Sequence, residues 1–112
     1  MKLFLDDIRT PPDNTWAVVR SFDEGVEYIT KNGVPDVISF DHDLGLEESG
    51  KSGYDFAKWL VEQHLDGNID ISNIKIRIHS ANPVGRKNIE GLFVSFRKFL
   101  EEEKWKQNFL IK

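Results

Sequence analysis

Asp36-Val37-Ile38-Ser39-Phe40-Asp41-His42-Asp43 is the stretch from which the fold is read. Val37-Ile38-Ser39-Phe40 is an apolar run, and Asp41-His42-Asp43 changes abruptly to ionisable side chains. A short apolar run behind a turn residue, here Pro35, predicts a buried strand of a parallel sheet. Ionisable groups buried at the end of such a strand are costly without partners. In open α/β sheets, ligands bind beyond the carboxyl ends of the strands. The stretch is therefore expected to carry chemistry at the tip of a central strand.

Upstream, Lys2 to Leu5 reads as a strand that ends in Asp6-Asp7. Pro11-Pro12 forbids a regular helix between Ile8 and Thr15, so a loop is expected there. Trp16 to Arg20 is a second strand. Ser21 and Glu24 have capping-box spacing and start a helix with Phe22, Val26 and Ile29 on one face. Asn32-Gly33 and Pro35 stop it. Downstream, Ser52 and Asp55 form a second capping pair. The helix they start buries Phe56, Trp59 and Leu60 and stops near Asp66-Gly67-Asn68. Ile74, Ile76 and Ile78 alternate with Lys75 and Arg77, which suits a strand near a sheet edge, and His79-Ser80 follows. Asn82 as N-cap and Pro83 as first helical residue open a long helix carrying Ile89, Leu92, Phe93, Phe96, Phe99 and Leu100. Asn108 to Ile111 is either a short fifth strand or a packed tail.

This order predicts a single α/β domain over residues 1–112. It is expected to have three layers, with helices on the faces of a mostly parallel sheet of four or five strands. Right-handed crossovers bring Asp6-Asp7, Asp41-His42-Asp43 and His79-Ser80 to one edge of that sheet.

Composition narrows the partners. The 112 residues are 39% hydrophobic and 30% charged, ordinary for one globular core. The absence of cysteine removes disulfides, thiolate metal sites and a thiol nucleophile. No apolar stretch approaches the roughly 20 residues of a membrane span, and the early Asp6-Asp7 does not suit a signal peptide. A cytoplasmic location, with no membrane partner, is the resulting expectation. The net charge of −4 and scattered Lys and Arg argue against duplex nucleic-acid binding. A small phosphorylated substrate or an RNA end remains compatible with a metal or local cations. The protein partner is unknown: the Phe-rich last helix could bind one, although core packing explains it more simply.

Asp6, Asp7 and Asp41 suit a hard divalent cation, Mg²⁺ or Mn²⁺, which takes carboxylate oxygens and substrate phosphate. His42 and His79 each follow the apolar body of a strand, and a histidine pair can divide general-base and general-acid duties near neutral pH. The plainer alternatives are aspartates that cap turns and imidazoles that only support structure. His64, in the last turn of a helix, reads as structural. Ser80 and Asn82 stand where a strand turns into a helix N-terminus, which favours a phosphate, and Arg86 can add a contact. Gly45-Leu46-Glu47-Glu48-Ser49-Gly50-Lys51-Ser52 fits the phosphate-cradling P-loop pattern. That reading is rejected, because Glu47 and Glu48 would put two negative charges in the cradle and Asp41-His42-Asp43 separates it from its strand. A mobile polar lid, with Lys51 reaching substrate, is expected instead.

An acidic pair after the first strand, an Asp after the third and a Ser after the fourth resemble the receiver domains of two-component signalling. The chain more closely resembles a divergent branch, the cyclic-phosphate processing receiver domains. The matching stretches are Leu3-Phe4-Leu5-Asp6-Asp7-Ile8-Arg9 with Pro11-Pro12, and Ser39-Phe40-Asp41-His42-Asp43-Leu44-Gly45. Gly53-Tyr54-Asp55 with Ala57-Lys58-Trp59-Leu60, and His79-Ser80-Ala81-Asn82-Pro83-Val84-Gly85, complete them. The resemblance implies a receiver or flavodoxin-like fold with the first crossover helix replaced by a loop. It implies a metal-assisted phosphoesterase acting on cyclic phosphates, such as 2′,3′-cyclic ends in RNA repair. Asp6, Asp7 and Asp41 would then be metal ligands, and His42 and His79 acid–base residues beside Asp41. Arg9, Lys51, Ser80 and Asn82 would hold phosphate. The alternative is a non-enzymatic switch phosphorylated on Asp41, or a module that only binds a phosphate ligand. The absence of a Lys after a well-formed fifth strand counts against the switch.

Overall fold

The computed structural model describes residues 1–44 and 50–109, with side chains through Lys106. The elements in chain order are β1 (Lys2–Leu5), β2 (Trp16–Val19), α1 (Phe22–Asn32), β3 (Val37–Phe40), α2 (Gly53–Leu65), β4 (Lys75–Ile78) and α3 (Pro83–Phe109). The strands form one parallel sheet in the order β2-β1-β3-β4. The receiver-like α/β expectation holds, including the loop in place of a first crossover helix.

The helix ends follow the predicted chemistry. Ser21 Oγ accepts from the Glu24 N–H, while the Glu24 carboxylate accepts from the N–H of Arg20, one residue before the usual partner. Ser52 and Asp55 form the full reciprocal box. Asn82 Oδ1 accepts from the Gly85 N–H and caps α3. That helix continues through Asn108 and Phe109, so the fifth-strand alternative for Asn108 to Ile111 does not hold at those two residues. Its remainder, Leu110 and Ile111, lies outside the described residues, as do Gly45 to Ser49 of the P-loop-like stretch.

The layering also differs from the expectation of helices on both faces. Leu3, Leu5, Val19, Ile38 and Phe40 share one buried cluster with Phe22 and Ile29 of α1, Phe56 and Leu60 of α2, and Ile89, Phe93 and Phe96 of α3. All the described helices therefore pack on one face. Topology explains why. The crossovers β2-α1-β3 and β3-α2-β4 advance in the same direction across the sheet, and right-handed connections then place both helices on the same side. Only the backward step from β1 to β2 would deliver a helix to the opposite face, and here that step is the proline loop. The opposite face carries Lys2, Phe4, Trp16, Val18, Ser39 and Arg77 in register. It is covered in part by the loop, and Phe4 and Trp16 meet edge to face at 5.9 Å.

Candidate metal and phosphate site

The parallel ladder runs one residue past the strand ends. The N–H groups of Asp6, Asp41 and His79 donate to the carbonyls of Val19, Leu5 and Phe40. This fixes Asp6, Asp41 and His79 in one row, and alternation turns them towards the face without helices. Asp6 is fully buried and Asp41 nearly so. One carboxylate oxygen from each of Asp6, Asp7 and Asp41 lies within 4.8 Å of the others. Asp7, Ile8, Arg9, Asp41, Asp43 and Ala81 line a cavity of about 230 Å³ there.

Asp6 is the anchored member. Its Oδ1 accepts from the N–H groups of Ile8 and Arg9, at 3.0 and 2.9 Å. Its Oδ2 meets His79 Nε2 at 3.0 Å. Burial works to raise its pKa, but the N–H donors and His79 outweigh that and hold it below its ordinary value. Asp41 goes the other way. Burial first, then the negative charge of Asp6, push its carboxyl up, with His79 and Arg9 only partly offsetting them. Repelling carboxylates held this close are a donor set that suits a hard divalent cation, so the residues present fit Mg²⁺ or Mn²⁺.

The two histidines are not equivalent. His79 has both ring nitrogens engaged: Nε2 with Asp6, and Nδ1 with Ser39 Oγ at 2.7 Å. Its ring stacks on Phe4 at 4.3 Å, nearly parallel at 6°. His42 holds Asp43 through Nδ1 at 2.9 Å, and that bond above all keeps the Asp43 carboxyl below its ordinary pKa. Nδ1–H donation to a carboxylate leaves Nε2 as the basic nitrogen. Nε2 has no hydrogen-bond partner among the described residues. Glycines permit the close packing here. A Cβ on Gly85 would come within 2.2 Å of His42 Cγ, and one on Gly53 within 1.7 Å of the Asp41 carbonyl oxygen.

The other predicted residues divide. Arg9 lines the acidic cavity and donates to the His79 carbonyl at 3.1 Å. Buried Ser80 accepts from the Asn82 N–H, and the Asn82 amide donates to Asp43. Lys51 and Arg86 do not line that cavity. Lys51 Nζ sits 4.3 Å from the centre of the Phe22 ring, and Arg86 lines a separate cavity beside β4. His64 accepts from the Ile71 N–H in a structural role. Sequence reasoning passed over two residues. Asp43 orients His42, a role signalled by its place in the Asp-His-Asp run. Arg20 donates to the carbonyls of Asp6 and Arg9, at 3.2 and 2.6 Å, and so pins the loop after β1; nothing local in the sequence marks that.

A parallel α/β sheet with clustered carboxylates at adjacent strand ends defines a receiver-type domain. More narrowly, the chain belongs to the cyclic-phosphate processing receiver domain family, whose model matches residues 1–95. Neither the curated proteins nor the solved structures contain a match. No helix among the described residues is long and apolar enough to cross a membrane.

Proposed function

We propose that the chain is a metal-assisted phosphoesterase that opens cyclic phosphates, with 2′,3′-cyclic ends of RNA or nucleotides as its substrate class. The observation that carries this reading is the Asp6-Asp7-Asp41 cluster standing beside an Asp43–His42 pair, in a family named for cyclic-phosphate processing. Mg²⁺ or Mn²⁺, when bound by the three aspartates, supplies positive charge against the phosphate oxygens. Arg9 adds a fixed cation on the same cavity. His42, oriented by Asp43, takes a proton from water through Nε2. The water oxygen forms a bond to phosphorus as one ring P–O bond breaks, and the protonated imidazole returns a proton to the departing ribose oxygen. The product is a ring-opened monoester. His79 positions Asp6 from the side, because its nitrogens already hold Asp6 and Ser39.

Ring-opening kinetics of His42→Ala and His79→Asn test this assignment. Loss of His42 should remove the acidic limb of the pH–rate profile, where a protonated base is inactive, and lower kcat at least a hundredfold. The His79 variant should keep the profile and weaken metal affinity about tenfold to a hundredfold, as loss of a supporting partner does. Both variants at wild-type rates, with Asp41 accepting a stable phosphoryl group from a small donor, would replace the esterase reading with a phosphoacceptor switch.

A further inference from the structure

A second cavity, of about 630 Å³, starts on the helix-free face at Phe4 and Ser39 and turns round the open edge of β4 to α3. Its size is that of a small-molecule site, for which roughly 300–1,000 Å³ is usual. It shares a wall with the acidic site. His79 lines the cavity, stacks on Phe4 within it, and holds Asp6 of the carboxylate cluster.

The lining is mostly apolar and also cationic. Pro12 and Trp16 line it with Phe4, and Arg77, Arg86 and Arg97 line it too, Arg97 being bound to the Ile74 carbonyl. Arg77 and Arg86 are exposed, and neither has a hydrogen-bond or ion-pair partner among the described residues. Guanidinium groups left without carboxylates at a cavity rim suit a phosphate. Glu90 also lines the cavity and forms no ion pair with Arg86, one helical turn away. It supplies an acceptor for an amino group.

We propose that this cavity is a nucleotide subsite, taking an amino-bearing base against the Phe4–Pro12–Trp16 wall and a neighbouring phosphate at Arg77 and Arg86. A ring with an amino group and an anionic tail matches the apolar wall, the acceptor and the cations together. The identity of the reacting end rests on the phosphoesterase reading, but binding in the cavity does not. The subsite selects nucleotides over simple cyclic phosphates, and it exists because the β1–β2 connection brings no helix to this face.

Calorimetric titration with adenosine 5′-monophosphate in EDTA tests the subsite without a metal. The wild type should bind it, with ribose 5-phosphate and inorganic phosphate at least tenfold weaker. Arg77→Ala/Arg86→Ala should weaken it at least tenfold, and Arg77→Lys/Arg86→Lys should restore part of the loss. The double alanine variant should open glycerol 1,2-cyclic phosphate, which has no base, at the wild-type rate. Absence of binding, equal binding by the double alanine variant, or ribose 5-phosphate binding as tightly as the nucleotide would overturn the subsite. Nucleotide binding without ring opening of any cyclic phosphate leaves the subsite and removes the esterase reading; ring opening without nucleotide binding does the reverse.

Discussion

Asp41→Asn should stabilise the metal-free protein while abolishing its response to metal. Burial and the Asp6 charge raise the Asp41 pKa, so the folded chain binds that proton more tightly than the unfolded chain. The associated stability is complete below the unfolded pKa and is lost as pH rises through the folded value. At neutral pH the ionised carboxylate is therefore a net cost. Two unit charges 4.8 Å apart, the outer limit for these ligand atoms, repel by about 3.5 kcal/mol at an effective dielectric constant of 20. Attraction to His79 and Arg9 offsets part of this, leaving ~1–2 kcal/mol, or about 4–8 °C in Tm for a domain of this size. A cation bound at 100 times its Kd stabilises the wild type by about 2.7 kcal/mol, near 10 °C. Thermal melts at pH 7, in EDTA and across a Mg²⁺ series, read both effects. The variant should start several degrees above the wild type and stay level as Mg²⁺ rises. A lower starting Tm, or a Mg²⁺ response equal to that of the wild type, contradicts a repulsive, cation-binding cluster.

Other substitutions probe the supports. Ser39→Ala should destabilise by about 0.5–1.5 kcal/mol, because it removes the Nδ1 partner of His79; denaturant melts with an unchanged slope would confirm it. Gly53→Ala should cost more than Gly85→Ala, since the first forces a Cβ onto backbone and the second onto a movable imidazole. Both should fall near the 1–3 kcal/mol typical of overpacking, and Gly85→Ala should shift the His42 imidazole resonances directly, because its Cβ meets that ring. Arg20→Ala frees the carbonyls of Asp6 and Arg9 and should weaken Mg²⁺ affinity about tenfold, measured by calorimetry.

Strand ends were legible because apolar runs give way to charge at Asp6, Asp41 and His79, and parallel topology aligns such ends without further information. Local hydrogen bonding made the caps at Ser21, Ser52 and Asn82 equally readable. The number of layers was not, because it depends on the direction of each crossover across the sheet. That direction follows from strand order, which no local pattern states. The end of α3 near Asn108 was left open between strand and tail, because the helix continues there through residues that also suit a strand. The difference in the histidines' partners was hidden as well. Only the fold shows that Ser39, 40 residues from His79 in sequence, occupies the second nitrogen of His79. Lys51 and Arg86 fit a phosphate site by residue type, yet they line other cavities.

The most direct test is phosphorus NMR of adenosine 2′,3′-cyclic phosphate incubated with the wild type and Mg²⁺ or Mn²⁺, beside EDTA and Asp41→Asn controls. Conversion of the cyclic resonance to a monoester with the wild type and metal, absent from both controls, is the expected result. An unchanged cyclic resonance under every metal condition, in a chain that accepts a phosphoryl group on Asp41, would contradict it.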